Sequence, residues 1–297
     1  MLYLGKKQPA FMITNYFIPP HPLLQSYVDS YILSSSHGET IYLKSQWPAS
    51  NETSIVFYLA DLPKHNSVPD TSNLQDKATC IVGLLSRCNG VVSFDGVYRT
   101  FIIQFKANGF HKIFGVPAAT VANRIYHSAD VFGKYAAALQ EKLLNTTSTI
   151  EMALHADDFL LSFVRKQKHF QYSAPDAITA ISNELFTLPM LLNVKQYAYR
   201  ANMSVRTFER RFSEQVGIAP KFYCRLLRFN TAVNVKLKRP GKSWTSIAHE
   251  CGYFDQMHMI KDFRQFASCN PTELLQQQQE YQPPPMDMTE KFILLER

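Results

Sequence analysis

No CxxC pair occurs in this chain, and its five cysteines, Cys80, Cys88, Cys224, Cys251 and Cys269, are odd in number and scattered. That excludes a disulfide framework and a paired-cysteine zinc site, and a reducing cytoplasm is the simplest compartment. No apolar run reaches the ~18 residues that a membrane-crossing helix needs, so no membrane partner is expected. The opening residues, MLYLGKKQPAFMITNYF, lack the uninterrupted apolar stretch of a secretory signal. P-loop, GxSxG and HExxH motifs are missing, and the nine histidines show no metal-ligand spacing. Among these, His111, His127 and His155 are expected to have structural roles. Asp157-Asp158 is a carboxylate pair, but adjacent helix residues point to different faces, which argues against shared acid–base chemistry. Neither an enzyme nor a bound metal or cofactor is expected.

What is present is ordinary globular composition, 297 residues with 46% hydrophobic and 19% charged, a length that implies two domains. The net charge of +7 is unevenly placed. Residues 1–173 hold 15 basic and 12 acidic groups, whereas residues 190–275 hold 14 basic and 6 acidic groups. A basic excess confined to one segment points to a polyanionic partner or, more plainly, to a helical domain that happens to be basic.

The chain divides by pattern. After the Pro-rich stretch Phe17 to Pro22, Leu23 to Tyr31 reads as a short helix. Runs rich in Ile, Val, Phe, Tyr and Thr follow at Glu39 to Trp47, Thr53 to Leu59, Thr79 to Leu85, Val91 to Phe94 and Arg99 to Phe105. Asp95-Gly96 between two of them predicts a hairpin turn. From Gly109 the period becomes helical, at Phe110 to Phe114, Val131 to Leu144 and Thr149 to Lys168. The expected fold class is α+β: an N-terminal domain with a small, mainly antiparallel sheet followed by helices, then an all-α domain. The expected bounds are 1–168 for the first domain, 169–175 for a linker, 176–276 for the helical domain and 277–297 for a loose tail. Phe292 to Leu295 in that tail either dock on the body or fray.

An internal repeat carries most of the functional information. Residues 194–223 recur at 245–274 with an offset of 51 over most of their length, pairing Phe208 with Met259, Arg210 with Lys261, Phe212 with Phe263 and Pro220 with Pro271. Each copy reads as a short helix, a tight turn and a second helix. In the first, Val194, Tyr197, Ala198 and Ala201 share a face, Asn202-Met203 turn, and Ser204 caps a helix that buries Phe208 and Phe212. In the second, Ile247, Ala248 and Cys251 share a face, Gly252 turns, and Asp255 caps a helix that buries Met259 and Phe263. This is the build of two helix-turn-helix units. The joining helix, Pro220 to about Lys238, spans ~28 Å. Successive major grooves on one DNA face lie ~34 Å apart, so a single chain is expected to read two half-sites.

These residues also resemble a family. Asn193 to Leu275 is similar to the DNA-binding domain of AraC-type transcription regulators. "NVKQYAYRANMSVRTFERRFSEQVGIAPKFYCRLLRFNTAV" carries its Ala, Ser, Arg-x-Phe, Gly and Pro, and "SIAHECGYFDQMHMIKDFRQF" its Ile-Ala, Gly-Tyr, Asp-Gln, His and Phe. Met257 replaces a usual Ser, Met259 a usual Phe and Ser268 a usual Gly. "FIPPHPLLQSYVDSYI" and "FIIQFKANGFHKIFGVPAATVANRI" resemble an uncharacterised regulatory domain found before AraC-type domains in bacteria. The resemblance implies a sequence-specific DNA-binding regulator of transcription.

Candidate contacts follow from the outward positions. On the first recognition helix, Arg206 suits guanine, Glu209 suits cytosine N4 or an intrahelical pair with Arg206 or Arg210, and Arg210 suits a base or a phosphate. On the second, Gln256 suits adenine, while Met257 and Ile260 suit a thymine methyl. Ser204, Arg211, His258, Lys261 and Arg264 are the candidate phosphate contacts, with His258 equally suited to capping its own turn. Arg225 and Arg228 either brace the two halves or bind phosphate. Lys236, Lys238, Arg239 and Lys242 form either a solvated edge or a phosphate-attracting one. In the first domain, Trp47, Phe57, Tyr58, Phe94, Tyr98, Phe101 and Phe105 are core residues or line an effector pocket. Candidate partners are double-stranded DNA, a small-molecule effector, RNA polymerase and a second copy of the chain. The alternative for the first domain is a protein-interaction module that gates DNA binding without a ligand.

Overall fold

The computed structural model describes residues 13–66, 78–166, 176–187 and 193–280. The expected linker and the Phe292 to Leu295 segment lie outside these residues.

Among the described residues, β-branched and aromatic runs in the N-terminal half build seven strands: β1 (Thr14–Ile18), β2 (Val28–Gln46), β3 (Ser54–Tyr58), β4 (Lys64–Asn66), β5 (Thr79–Val82), β6 (Val91–Phe105) and β7 (Ile125–His127). They form one sheet in the order β1-β2-β6-β3-β5-β7, with β4 also on β6, and every pairing is antiparallel. Helices α1 (Gly109–Phe114), α2 (Ala118–Val121), α3 (Ser128–Phe132), α4 (Lys134–Leu144) and α5 (Thr149–Val164) follow. The main N-terminal core joins Tyr31, Phe57, Phe101, Ile103 and Phe105 of the sheet to Phe110, Phe132, Leu143 and Met152 of the helices. The fold class is α+β, as expected.

Two local expectations are corrected. Leu23 to Tyr31 is not a helix: only Pro22–Leu24 makes a single 3-10 turn, and Val28 already begins β2. Pairing on both sides decides this, since Tyr31 faces Ile18 of β1 and Ile103 of β6 while its hydroxyl donates to the buried Asp157 at 2.7 Å. Asp95-Gly96 does not turn the chain either. β6 runs through it, with Asp95 opposite Tyr42 and Gly96 opposite Ile41. Glycine is needed there for another reason. Its φ is +148°, and a Cβ would lie 2.4 Å from an Asp61 oxygen, the same oxygen that accepts from the Val97 N–H. A long-range ladder has overridden a short-range turn signal.

The C-terminal half is helical: α6 (Ala177–Thr187), α7 (Val194–Arg200), α8 (Val205–Val216), α9 (Pro220–Lys238), α10 (Trp244–Glu250), α11 (Gln256–Ala267) and α12 (Pro271–Glu280). Its core runs from Ile178 and Leu185 through Phe208, Phe212, Tyr223 and Phe229 to Met259, Phe263 and Phe266, and it takes in Ala49 and Leu84 from the N-terminal half. The two halves therefore share a seam. The Ala49 N–H donates to the Phe266 carbonyl at 2.8 Å, and Asn230 of α9 donates to Asn51 at 2.5 Å. Asn108, before α1, donates to Thr179 of α6 and Gln215 of α8, at 2.8 and 3.0 Å. Lys112 of α1 ion-pairs with Asp176.

Candidate nucleic-acid interface

The two helix pairs α7–α8 and α10–α11 are built as the repeat requires. Ser204 accepts from the Thr207 N–H at 3.2 Å and Asp255 from the His258 N–H at 2.7 Å, so each second helix starts on a side-chain cap. Asn202 with φ +52° and Gly252 with φ +72° make the turns. Phe208 and Phe212 in α8, and Met259 and Phe263 in α11, are fully buried. Ala198 and Ala248 are buried at the helix crossings, where a larger side chain would push the pair apart.

Burial of that face leaves the other one outside. Arg206, Arg210 and Arg211 are exposed on α8, and Glu209 is half-buried. On α11, Met257, His258, Lys261 and Arg264 are exposed, and Gln256 and Ile260 are half-buried. Met257 is 59% exposed, an unusual place for a methionine in a helix with a full apolar face behind it. Ser204 is exposed, with its hydroxyl engaged both by the Thr207 N–H and by the Thr207 hydroxyl at 2.9 Å.

Several of these side chains have partners within the chain. Glu209 makes no ion pair with Arg206 or Arg210 among the described residues; Arg210 instead reaches Glu214 at 3.7 Å. His258 caps its own turn, its Nδ1 2.8 Å from Asp255. The His258 N–H, then its ring, hold the Asp255 carboxyl below its usual range. Arg225 and Arg228 brace. Arg225 pairs with Asp262 at 2.5 Å and donates to Gln265 at 2.7 Å. Arg228 donates to the Gly252 carbonyl at 3.1 Å and lies over the Tyr253 ring. Lys236 holds the Pro240 and Lys242 carbonyls, each at 2.7 Å, and Arg239 and Lys242 both ion-pair with Glu250.

Sorting the cations this way separates two groups. Those on α9 and the α9–α10 connection are largely committed to structure. Arg206, Arg211, Lys261 and Arg264, on the two recognition helices, make no ion pair among the described residues. Asp262 was missed by sequence reading. It is buried, next to Phe263, and anchors α11 to α9 through Arg225. Its signal was an acidic residue on the apolar side of an otherwise basic helix. Two exposed aromatics, Tyr199 and Phe254, were also unremarked, each 85% exposed beside a turn.

The aromatics of the N-terminal half are mostly core. Phe57, Phe101 and Phe105 fill the space under the helices, Trp47 and Tyr58 pack on the opposite sheet face, and Phe94 and Tyr98 form a small third cluster. Asp157 and Asp158 part as expected, Asp157 buried and holding the His21 N–H and the Tyr31 hydroxyl, and Asp158 exposed. The His111 ring bonds the Val116 carbonyl, and burial lowers its pKa. Among the described residues, no helix is long and apolar enough to cross a membrane.

Residues 197–277 match the family model of a helix-turn-helix domain, and residues 16–127 match a domain of unknown function, DUF6597. The chain is 31% identical over 85 residues to the HTH-type transcriptional activator RhaS of Escherichia coli O139:H28, which covers 29% of this chain and 30% of that protein. It is 33% identical over 86 residues to RhaS of Pectobacterium carotovorum, with the same shares covered. The match thus spans less than a third of these relatives' length. Among solved structures, ToxT from Vibrio cholerae aligns over 83% of this chain and 98% of its own, at 11% identity and a TM-score of 0.47. The C-terminal part of the chain is a helix-turn-helix domain that resembles the AraC type, preceded by a distinct N-terminal domain.

Proposed function

From that pairing of domains, we propose that the protein is a sequence-specific DNA-binding regulator of transcription whose two helix-turn-helix units read adjacent major-groove half-sites. The supporting observation is the sorting of cations: braces on α9, and Arg206, Arg211, Lys261 and Arg264 on α8 and α11 without an ion pair among the described residues. In this reading Arg206, Glu209 and Arg210 of α8 and Gln256, Met257 and Ile260 of α11 contact bases. Arg211, Lys261 and Arg264 contact phosphates, and Ser204 and His258 add phosphate contacts at the helix starts. The 19-residue α9, ~28 Å long at ~1.5 Å per residue, supports a spacing of the two recognition helices near one turn of DNA. The N-terminal domain controls this through a small-molecule effector or a second copy of the chain, and RNA polymerase is the partner through which DNA binding is read out.

Selection of the full chain on a randomised duplex library at two salt concentrations tests the reading. Two short enriched motifs about one helical turn apart are expected. Affinity should fall by roughly a thousandfold between 50 and 200 mM salt if six or more phosphates are engaged. A flat salt response, or binding without an enriched motif, overturns it.

A further inference from the structure

A cavity of about 240 Å³ opens at the seam between the two halves. The N-terminal half supplies Asp29 of β2, Asn51 and Glu52 of the β2–β3 connection, and Lys106 after β6; α6 supplies Asn183 and Phe186. Two carboxyls therefore face one lysine. Glu52 is the uncompensated group. No lysine or arginine ion-pairs with it among the described residues, and its hydrogen-bonding partners are the amides of Gln104 and Asn51. Burial, and then the like charge of Asp29, push its carboxyl up to about 7. Behind it the buried Tyr223 hydroxyl lies beside Asn51, close enough to feel the Glu52 charge. A largely buried carboxyl with a like-charged neighbour and only neutral partners is costly to ionise, and a cation reaching it offsets that cost.

We propose that this cavity binds a small organic ammonium ion, its charged head between Glu52 and Asp29 and its apolar body against Phe186. The volume is too large for a bare metal ion and suits a small metabolite. Phe186 is half-exposed on the wall and offers an aromatic face. An anion would meet two carboxyls and is disfavoured. The site touches the elements that carry the DNA-reading units. Asn51 is bonded to Asn230 of α9, and Glu184, the neighbour of Asn183 on α6, bonds Tyr197 and Arg200 of α7 at 2.9 and 2.6 Å. This inference deepens the effector reading of the N-terminal domain and rests on it.

The test uses the full chain with phenethylammonium as probe, and with phenethyl alcohol and phenylacetate as its neutral and anionic counterparts. The ammonium raises the melting temperature and gives a binding isotherm; the alcohol and the acid do neither. Affinity rises with pH through about 7, because the ammonium pairs with the ionised Glu52; Asp29, Lys106 and Tyr223 are the other titratable groups facing it. Glu52→Gln abolishes the shift, and Phe186→Ala weakens binding about fivefold. Should Glu52→Gln fail to fold, Asp29→Asn takes its place, with the same loss expected. No binding of phenethylammonium or butylammonium at millimolar concentration overturns the proposal, as does binding that survives both carboxyl substitutions. Duplex binding is measured on the same preparation. If the chain binds DNA but no ammonium, the cavity inference alone falls. If it binds the ammonium but no DNA, the cavity stands and the regulatory reading falls.

Discussion

The two helix-turn-helix units share caps, turns and buried aromatic or methionine pairs, yet different parts of the molecule hold them. The first rests on the N-terminal half. Asn108 bonds Gln215 near the end of α8, and Gly217, just past it, lies against Ala118 and Ala122. The second rests mainly on α9, through Arg225–Asp262 and through Arg228 on the Gly252 carbonyl. Their outer faces differ as well. α8 presents Arg206, Glu209, Arg210 and Arg211, whereas α11 presents Gln256, Met257 and Ile260 ahead of Lys261 and Arg264. A duplicated motif has thus kept its core and changed both its support and its reading surface. The N-terminal half meets the first unit through Asn108 and α2, whereas it meets the second at the Ala49–Phe266 bond and otherwise by way of the joining helix.

Breaking the support of the second unit should have the largest effect. Asp262→Ala leaves Arg225 without its carboxylate and should cost about 2 kcal/mol, between the values for exposed and fully buried pairs, since Asp262 is 6% exposed and Arg225 37%. Urea denaturation measures this, and an unchanged midpoint would remove the brace from the account. Next comes the reading surface. Arg206→Ala should lose ~1–3 kcal/mol at one base position only, whereas Arg211→Ala should weaken all sequences alike. Binding to a panel of single-base variants separates the two, and a uniform loss for Arg206→Ala would make it a phosphate contact.

A smaller effect should come from the seam beneath the first unit. Gly217 has φ +102°, and a Cβ there would approach the Ala122 Cβ to 3.2 Å. Gly217→Ala should cost about 1 kcal/mol or more, because alanine is strained at positive φ. Thermal melting reads the loss, and equal stability would mean that the seam relaxes freely. The caps should be the mildest and the most alike. Ser204→Ala and Asp255→Ala should each cost ~1 kcal/mol. A large difference between them, followed by urea denaturation, would show that the tertiary support of the two units matters more than their local start signals.

Much of this was legible in the residues. The repeat placed both turns, both caps and all four buried positions of the second helices, because capping and the 3.6-residue period are local rules. The strand runs of the N-terminal half were also readable from their β-branched and aromatic content. The failures came where distant residues decide. Leu23 to Tyr31 looks helical alone, yet its last four residues, Val28 to Tyr31, are strand because β6 pairs with them and β1 joins at Tyr31. Asp95-Gly96 looks like a turn and lies within a strand because β2 pairs along it, at Tyr42 and Ile41. Asp262 went unnoticed because its partner, Arg225, is 37 positions away.

By itself the sequence determined which helices cap, turn and repeat, and that a basic excess sits in the repeated segment. Those properties follow from residue spacing and composition, which are local. Only the tertiary structure decided which of the basic side chains are spent on ion pairs and carbonyls and which remain outside. It alone placed Glu52 and Asp29 with α6 at one cavity. Both outcomes depend on which distant surfaces exclude water from each other, a property of the packed chain and not of any stretch of it.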